Sequence, residues 1–181
     1  MPQSVLQRAS RLYRRRRFLL VIRLLESQIF RFRENPDFFF YLGCSCLRTG
    51  DLGGAESYLR RADQLRPQDA ATLLALAAIH LKRSETDQAL ELWLRVMEFS
   101  PGNRTAARGL ELLRLAAARE DPQLLRDPRR TQRLYPGVPF NPRALRVPLA
   151  SLAAAALLAG GVVLLLPLLP ERDSARPEIR E

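Results

Sequence analysis

Lysine is nearly missing from this 181-residue chain: only Lys82 stands among 29 basic residues, and the rest are arginine. Histidine and tryptophan occur once each and cysteine twice. Cys44 and Cys46 cannot staple a domain of this size, and with His80 they do not supply a four-ligand metal set. Two residues apart on a helix, they point in nearly opposite directions, which disfavours a disulfide between them. There is no P-loop, no HExxH, no G-x-S-x-G and no carboxylate pair beside a metal-ligating partner. Those absences exclude the common hydrolase and metalloenzyme patterns. The expected protein is not an enzyme and needs no cofactor.

What is present is arginine and apolar residues. Hydrophobic residues make up 47% and charged residues 27%, a balance that folds, and the formal charge is +10. The charge is uneven. Residues 1–35 carry 9 Arg against 2 Glu, residues 36–101 are close to neutral, and residues 121–148 are basic again. A nearly neutral module with basic ends suits an anionic partner, either membrane or nucleic acid.

From Val147 to Pro170 no residue is ionisable, a run of 24 positions. At ~1.5 Å per residue such a helix reaches about 36 Å, against a hydrocarbon core of roughly 30 Å. Its leucines and valines contribute on the order of −3 to −6 kcal/mol to insertion, and a buried core helix of that length would carry more of a polar stripe than Ser151. Residues 149–169 are therefore expected to span a membrane once. Arginines 126, 129, 130, 133, 143 and 146 precede the span, which favours a cytoplasmic N-terminal body with the tail 170–181 on the far side. Arg15-Arg16-Arg17-Phe18-Leu19 resembles a twin-arginine export signal. Arg23 interrupts its apolar core and no small-x-small cleavage site follows, so an amphipathic helix is the better reading. Leu12, Leu19, Ile22, Leu25 and Ile29 would form its apolar face.

The middle of the chain repeats. Displaced by 34 residues, Phe39-x2-Leu42-Gly43-x2-Cys46 falls on Leu73-x2-Leu76-Ala77-x2-His80. Ala55-x3-Leu59-x2-Ala62 falls on Ala89-x3-Trp93-x2-Val96, and Pro67 on Pro101. This pattern resembles the tetratricopeptide repeat (TPR). Gly43, Ala77, Ala55 and Ala89 are small where paired helices cross, and Leu59, Ala62, Trp93 and Val96 pack between units. The spacing predicts helices near 37–48, 52–65, 70–82 and 86–99, turned at Gly50-Asp51 and Ser84-Glu85.

The fold class expected is all-α, a short right-handed superhelix of TPR helix-turn-helix repeats plus one C-terminal transmembrane helix. Residues 36–102 hold two repeats, 36–69 and 70–102. About three units are needed to enclose a core. A degenerate, basic helical pair at 1–35 closes one end, with helices at 4–14 and 17–33; Ala9 falls under Gly43, Val21 under Ala55 and Leu25 under Leu59. A capping helix within 103–120 closes the other, with Asn103 as N-cap and Ala106, Ala107, Leu110, Leu113 and Ala117 as its apolar face. Six prolines make 121–148 an extended linker to the span.

The resemblance implies a concave surface lined by the first helix of each unit, which binds a protein or peptide. Here it would carry Leu6, Ser10, Phe40, Cys44, Leu47, Leu74, Ala78 and Leu81. The carboxylate clamp of chaperone-tail-binding relatives is absent, because Leu6, Ser10, Tyr41, Ala71 and Ala75 occupy its positions. An apolar groove suits an amphipathic peptide, or else another element of the same chain. Arg14, Arg15, Arg16, Arg17, Arg129, Arg130, Arg133, Arg143 and Arg146 are candidate anionic-lipid contacts, with a solvated arginine face as the plain alternative. Nucleic acid is disfavoured for want of any recognised binding module. Ala156-x3-Gly160 allows two spans to approach as a homodimer. The reading is a single-pass membrane adaptor at the cytoplasmic face, with arginine use suggesting a bacterial inner membrane. Its rivals are a structural subunit of a larger membrane complex and a membrane-tethered nucleic-acid-binding protein.

Overall fold

Asn35, Asp69 and Asn103 stand 34 residues apart, and each opens a helix with its side chain. Asn35 accepts from the Phe38 amide at 3.1 Å, Asp69 from Thr72 at 2.9 Å and Asn103 from Ala106 at 3.0 Å. Each satisfies an amide that the first turn of a helix leaves without a carbonyl. The computed structural model describes residues 2–136. Among them are eight α-helices and no strand: α1 (Pro2–Arg14), α2 (Phe18–Glu26), α3 (Pro36–Thr49), α4 (Leu52–Leu65), α5 (Ala70–Lys82), α6 (Thr86–Phe99), α7 (Arg104–Ala118) and a single turn, α8 (Pro128–Thr131).

The turns keep the same stride. Arg16, Gly50 and Ser84, again 34 apart, all adopt left-handed backbone, at φ 57°, 93° and 64°. Each lies between the two helices of a pair, α1–α2, α3–α4 and α5–α6. Glycine takes that conformation without a Cβ penalty, whereas Arg16 and Ser84 hold it under strain of roughly 1–2 kcal/mol. The first pair keeps the stride of the other two, and Ala9, Val21 and Leu25 are fully buried.

Packing follows from residue size. A Cβ on Gly43 would meet Leu59 Cγ at 2.7 Å and the Ala55 carbonyl at 3.1 Å, so only glycine lets α3 lie this close to α4. Between units, Leu59, Ala62, Trp93 and Val96 are buried, as their spacing predicts. α2 packs on α3, α4 on α5 and α6 on α7, which produces one continuous core.

Four expectations need correction. The helix expected over 17–33 ends at Glu26 and is followed by a 3-10 turn, Ile29–Phe32. That turn lets Phe32 stack on Phe38, with ring centroids 5.2 Å apart. Leu19, expected on the apolar face, is exposed. On α7 the buried stripe is Ala106, Gly109, Leu112 and Ala116, whereas Ala107 and Ala117 are exposed and Leu110 and Leu113 half-buried. Gly109 causes this rotation: its missing side chain is the space that the Trp93 indole fills. Residues 121–136, expected to run extended, instead form a 3-10 turn (Pro122–Leu125), α8 and another 3-10 turn (Gln132–Leu134), folded against α7. Asp121 and Asp127 cap these short turns, and Pro122 and Pro128 begin them, where a missing N–H does no harm.

No helix among the described residues is long and apolar enough to cross a membrane. The span expected at 149–169, the tail 170–181, Arg143 and Arg146 lie outside the described residues.

Candidate partner-binding groove

Repeat-equivalent residues identify the inner face of the first helices. Leu6, Phe40 and Leu74 form one row, Ser10, Cys44 and Ala78 a second, and Tyr13, Leu47 and Leu81 a third. Phe40, Cys44, Leu47, Leu74, Ala78 and Leu81 are buried, while Leu6 and Ser10 are half-buried. Six of the eight residues expected to face a partner therefore belong to the molecule's interior.

The chain itself crosses this face. Arg48 and Lys82, equivalent residues at the ends of α3 and α5, both reach the ring of Tyr135, with the guanidinium carbon 4.5 Å and the ammonium nitrogen 5.7 Å from its centroid. Two cations over one ring place Tyr135 across the mouth formed by adjacent repeats. Its neighbour Leu134 is only 2% exposed and joins the core, and Pro136 is buried as well. Beside this strap a cavity of about 570 Å³ remains, lined by Arg108, Glu111, Leu112, Leu115, Arg130, Arg133 and Leu134. Three arginines against one glutamate, over an apolar floor, suit an acidic amphipathic segment. Arg130, which lines it, is also paired with Asp127 at 3.3 Å.

The titratable groups here are structural. Burial pushes the Cys44 thiol and the Tyr13 hydroxyl well above their ordinary values, with Arg48 pulling both the other way. Burial likewise pushes Cys46 up to about 12. Both cysteines are free thiols, and no group of three metal-ligating side chains occurs among the described residues. His80 Nδ1 lies 2.6 Å from the Glu85 carboxylate, joining the end of α5 to the start of α6. Glu56 joins consecutive units: it accepts from Arg83 at 2.5 Å and from Arg60 at 2.8 Å, hydrogen bonds that hold its carboxyl below the usual range.

Arg14, Arg15, Arg16, Arg17 and Arg129 are all exposed. Sequence reasoning did not find Tyr13, Tyr135, Arg48 or Lys82. The stride of 34 could have found Tyr13 and the Arg48–Lys82 pair; nothing local marks Tyr135.

With paired helices, small crossing residues and cap positions all keeping one stride, the comparison with known families has a clear meaning. Residues 47–113 match the family model described as Tetratricopeptide repeat. The match runs from the end of α3 through α4, α5 and α6 into α7. Tetratricopeptide repeats generally mediate protein–protein interaction and are typically non-catalytic. No curated protein matches the sequence.

Proposed function

We propose that this chain is a membrane-anchored adaptor, in which a short tetratricopeptide module binds a protein partner and residues 149–169 hold it to a bilayer. The module carries no chemistry of its own. The observation that supports partner binding is the repeat architecture with its arginine-lined cavity beside α7. The support for the anchor is the uncharged run Val147–Pro170. Arginines before that run favour a body on the cytoplasmic side, in a bacterium the inner face of the inner membrane. The partner segment is acidic and amphipathic, because Arg108 and Arg133 flank Leu112 and Leu115.

Two measurements test this. Full-length chain expressed in membranes should resist extraction by alkaline carbonate, and recovery in the soluble fraction would remove the anchor. A photo-crosslinking residue at Leu115 should trap one discrete protein, and Arg108→Glu with Arg133→Glu should abolish the adduct. Equal labelling from exposed Gln64 would remove the groove.

A second reading, a structural subunit with its groove permanently filled, draws on the burial of Phe40, Cys44, Leu47, Leu74, Ala78 and Leu81. Purification in mild detergent separates the two. A stoichiometric companion supports the subunit, and a lone chain supports the adaptor.

A further inference from the structure

The N-terminal pair leaves an unusual surface. α2 buries only Val21 and Leu25 completely, while Leu19 is 65% exposed and Leu20 47%. Phe30, in the 3-10 turn after α2, is 95% exposed. Leu19, Arg23 and Glu26 succeed one another at steps of four and three residues, the spacing of one helical stripe, and Phe30 follows in the turn beyond the end of the helix. Arginine borders it at every point. Arg14–Arg17 precede α2, Arg23 lies within it, Arg31 and Arg33 follow, and all are exposed. Among the described residues only Arg33 of this set is paired with a carboxylate, that of Glu34 at 3.5 Å. Glu26 is the one acidic group on the stripe itself.

We propose that this face of α2 docks on an anionic lipid bilayer, inserting Leu19, Leu20 and Phe30 at the headgroup boundary while the arginines engage lipid phosphates. The combination decides the partner. Isolated apolar side chains set among unpaired arginines are what an interfacial helix presents, with arginine stems reaching along the apolar face and their heads in the headgroup layer. Single-stranded or duplex nucleic acid would use the charge but leave Leu19 and Leu20 in water. A second copy of this chain would bring the same cationic face and be repelled. The proposal draws on the anchoring reading only for proximity, because a span would deliver the module to the same bilayer that this face then meets.

The test uses the full chain carrying Phe30→Trp, an exposed site where the change leaves the fold intact. Trp93 is fully buried and serves as an internal reference. The protein is reconstituted with phosphatidylcholine vesicles, with or without about 30% phosphatidylglycerol, in which part of the lipid carries bromine on the acyl chain. The introduced indole should be quenched in vesicles with phosphatidylglycerol, much less in phosphatidylcholine alone, and the quenching should weaken in high salt. Arg15→Gln, Arg16→Gln and Arg17→Gln together should lower the surface affinity for phosphatidylglycerol vesicles by about a hundredfold if the residues act independently. Quenching that is absent, or equal in both vesicle types, overturns the proposal. Vesicle flotation keeps the two readings apart. Protein that floats with both vesicle types but is not quenched even where phosphatidylglycerol is present retains its anchor and lacks the docking face. Protein that associates only with phosphatidylglycerol vesicles, and is quenched there, has the face without the anchor.

Discussion

Gly109 and Trp93 form the contact on which the α6–α7 seam depends. A methyl on Gly109 would enter the indole ring, so relief requires α7 to lift from α6. Overpacking of this kind costs about 1–3 kcal/mol, against roughly 1 kcal/mol that alanine returns in helix propensity. Gly109→Ala should therefore lower stability in urea unfolding, and Trp93→Leu should reduce that penalty in the double variant. Equal losses in both backgrounds would show that the ring is not the obstacle. The cysteines belong to the same scale. Both thiols are buried and pushed up by that burial, so little of either is thiolate at pH 8. A disulfide reagent such as Ellman's should titrate neither thiol in the native protein and both after denaturation. Rapid native labelling would remove the packed-thiol assignment.

At the scale of elements, the helices were legible because their determinants are local. α4, α5 and α6 have the limits that the spacing of alanine, leucine and proline predicts, and α3 and α7 lie within a residue of theirs. The helix expected over 17–33 failed because periodicity continues through Ile29, whereas the chain turns to stack Phe32 on Phe38. The link between units is less visible: Glu56 and Arg60 are an i,i+4 pair on α4, but Arg83, at the end of α5, reaches Glu56 only after folding. Because the folded Glu56 carboxyl lies below its ordinary 4.5, its contribution is present above that value and is lost as pH falls through the lowered one. Glu56→Gln should cost about 1 kcal/mol at neutral pH and flatten the acid limb of the stability profile. Thermal unfolding between pH 3 and 7 measures both effects, and parallel curves for the two proteins would contradict this account.

For the whole molecule, the strap over the inner face is the feature with the largest consequence for partner binding. Tyr135 lies between Arg48 and Lys82, and Leu134 enters the core beside α7. Exposed cation–π contacts are worth about 0.5–1 kcal/mol, so losing the ring should loosen this closure several-fold while Leu134 stays in the core. Tyr135→Ala should speed hydrogen exchange over residues 128–136 several-fold and leave α4 and α5 unchanged. Exchange that rises uniformly along the chain would mean that the strap is part of the global fold rather than a local cover.

Sequence alone determined the stride, the paired helices, the small residues at their crossings and the uncharged run near the C-terminus. Each of these rests on contacts within a helix or between neighbouring helices, whose spacing the chain repeats. Tertiary structure decided what closes the inner face, which side of α7 is buried and which apolar residues of α2 stay in water. Those outcomes depend on surfaces brought together from distant segments. The fit of one ring or one missing side chain can then rotate a helix or fold a proline-rich segment, and no periodicity records it.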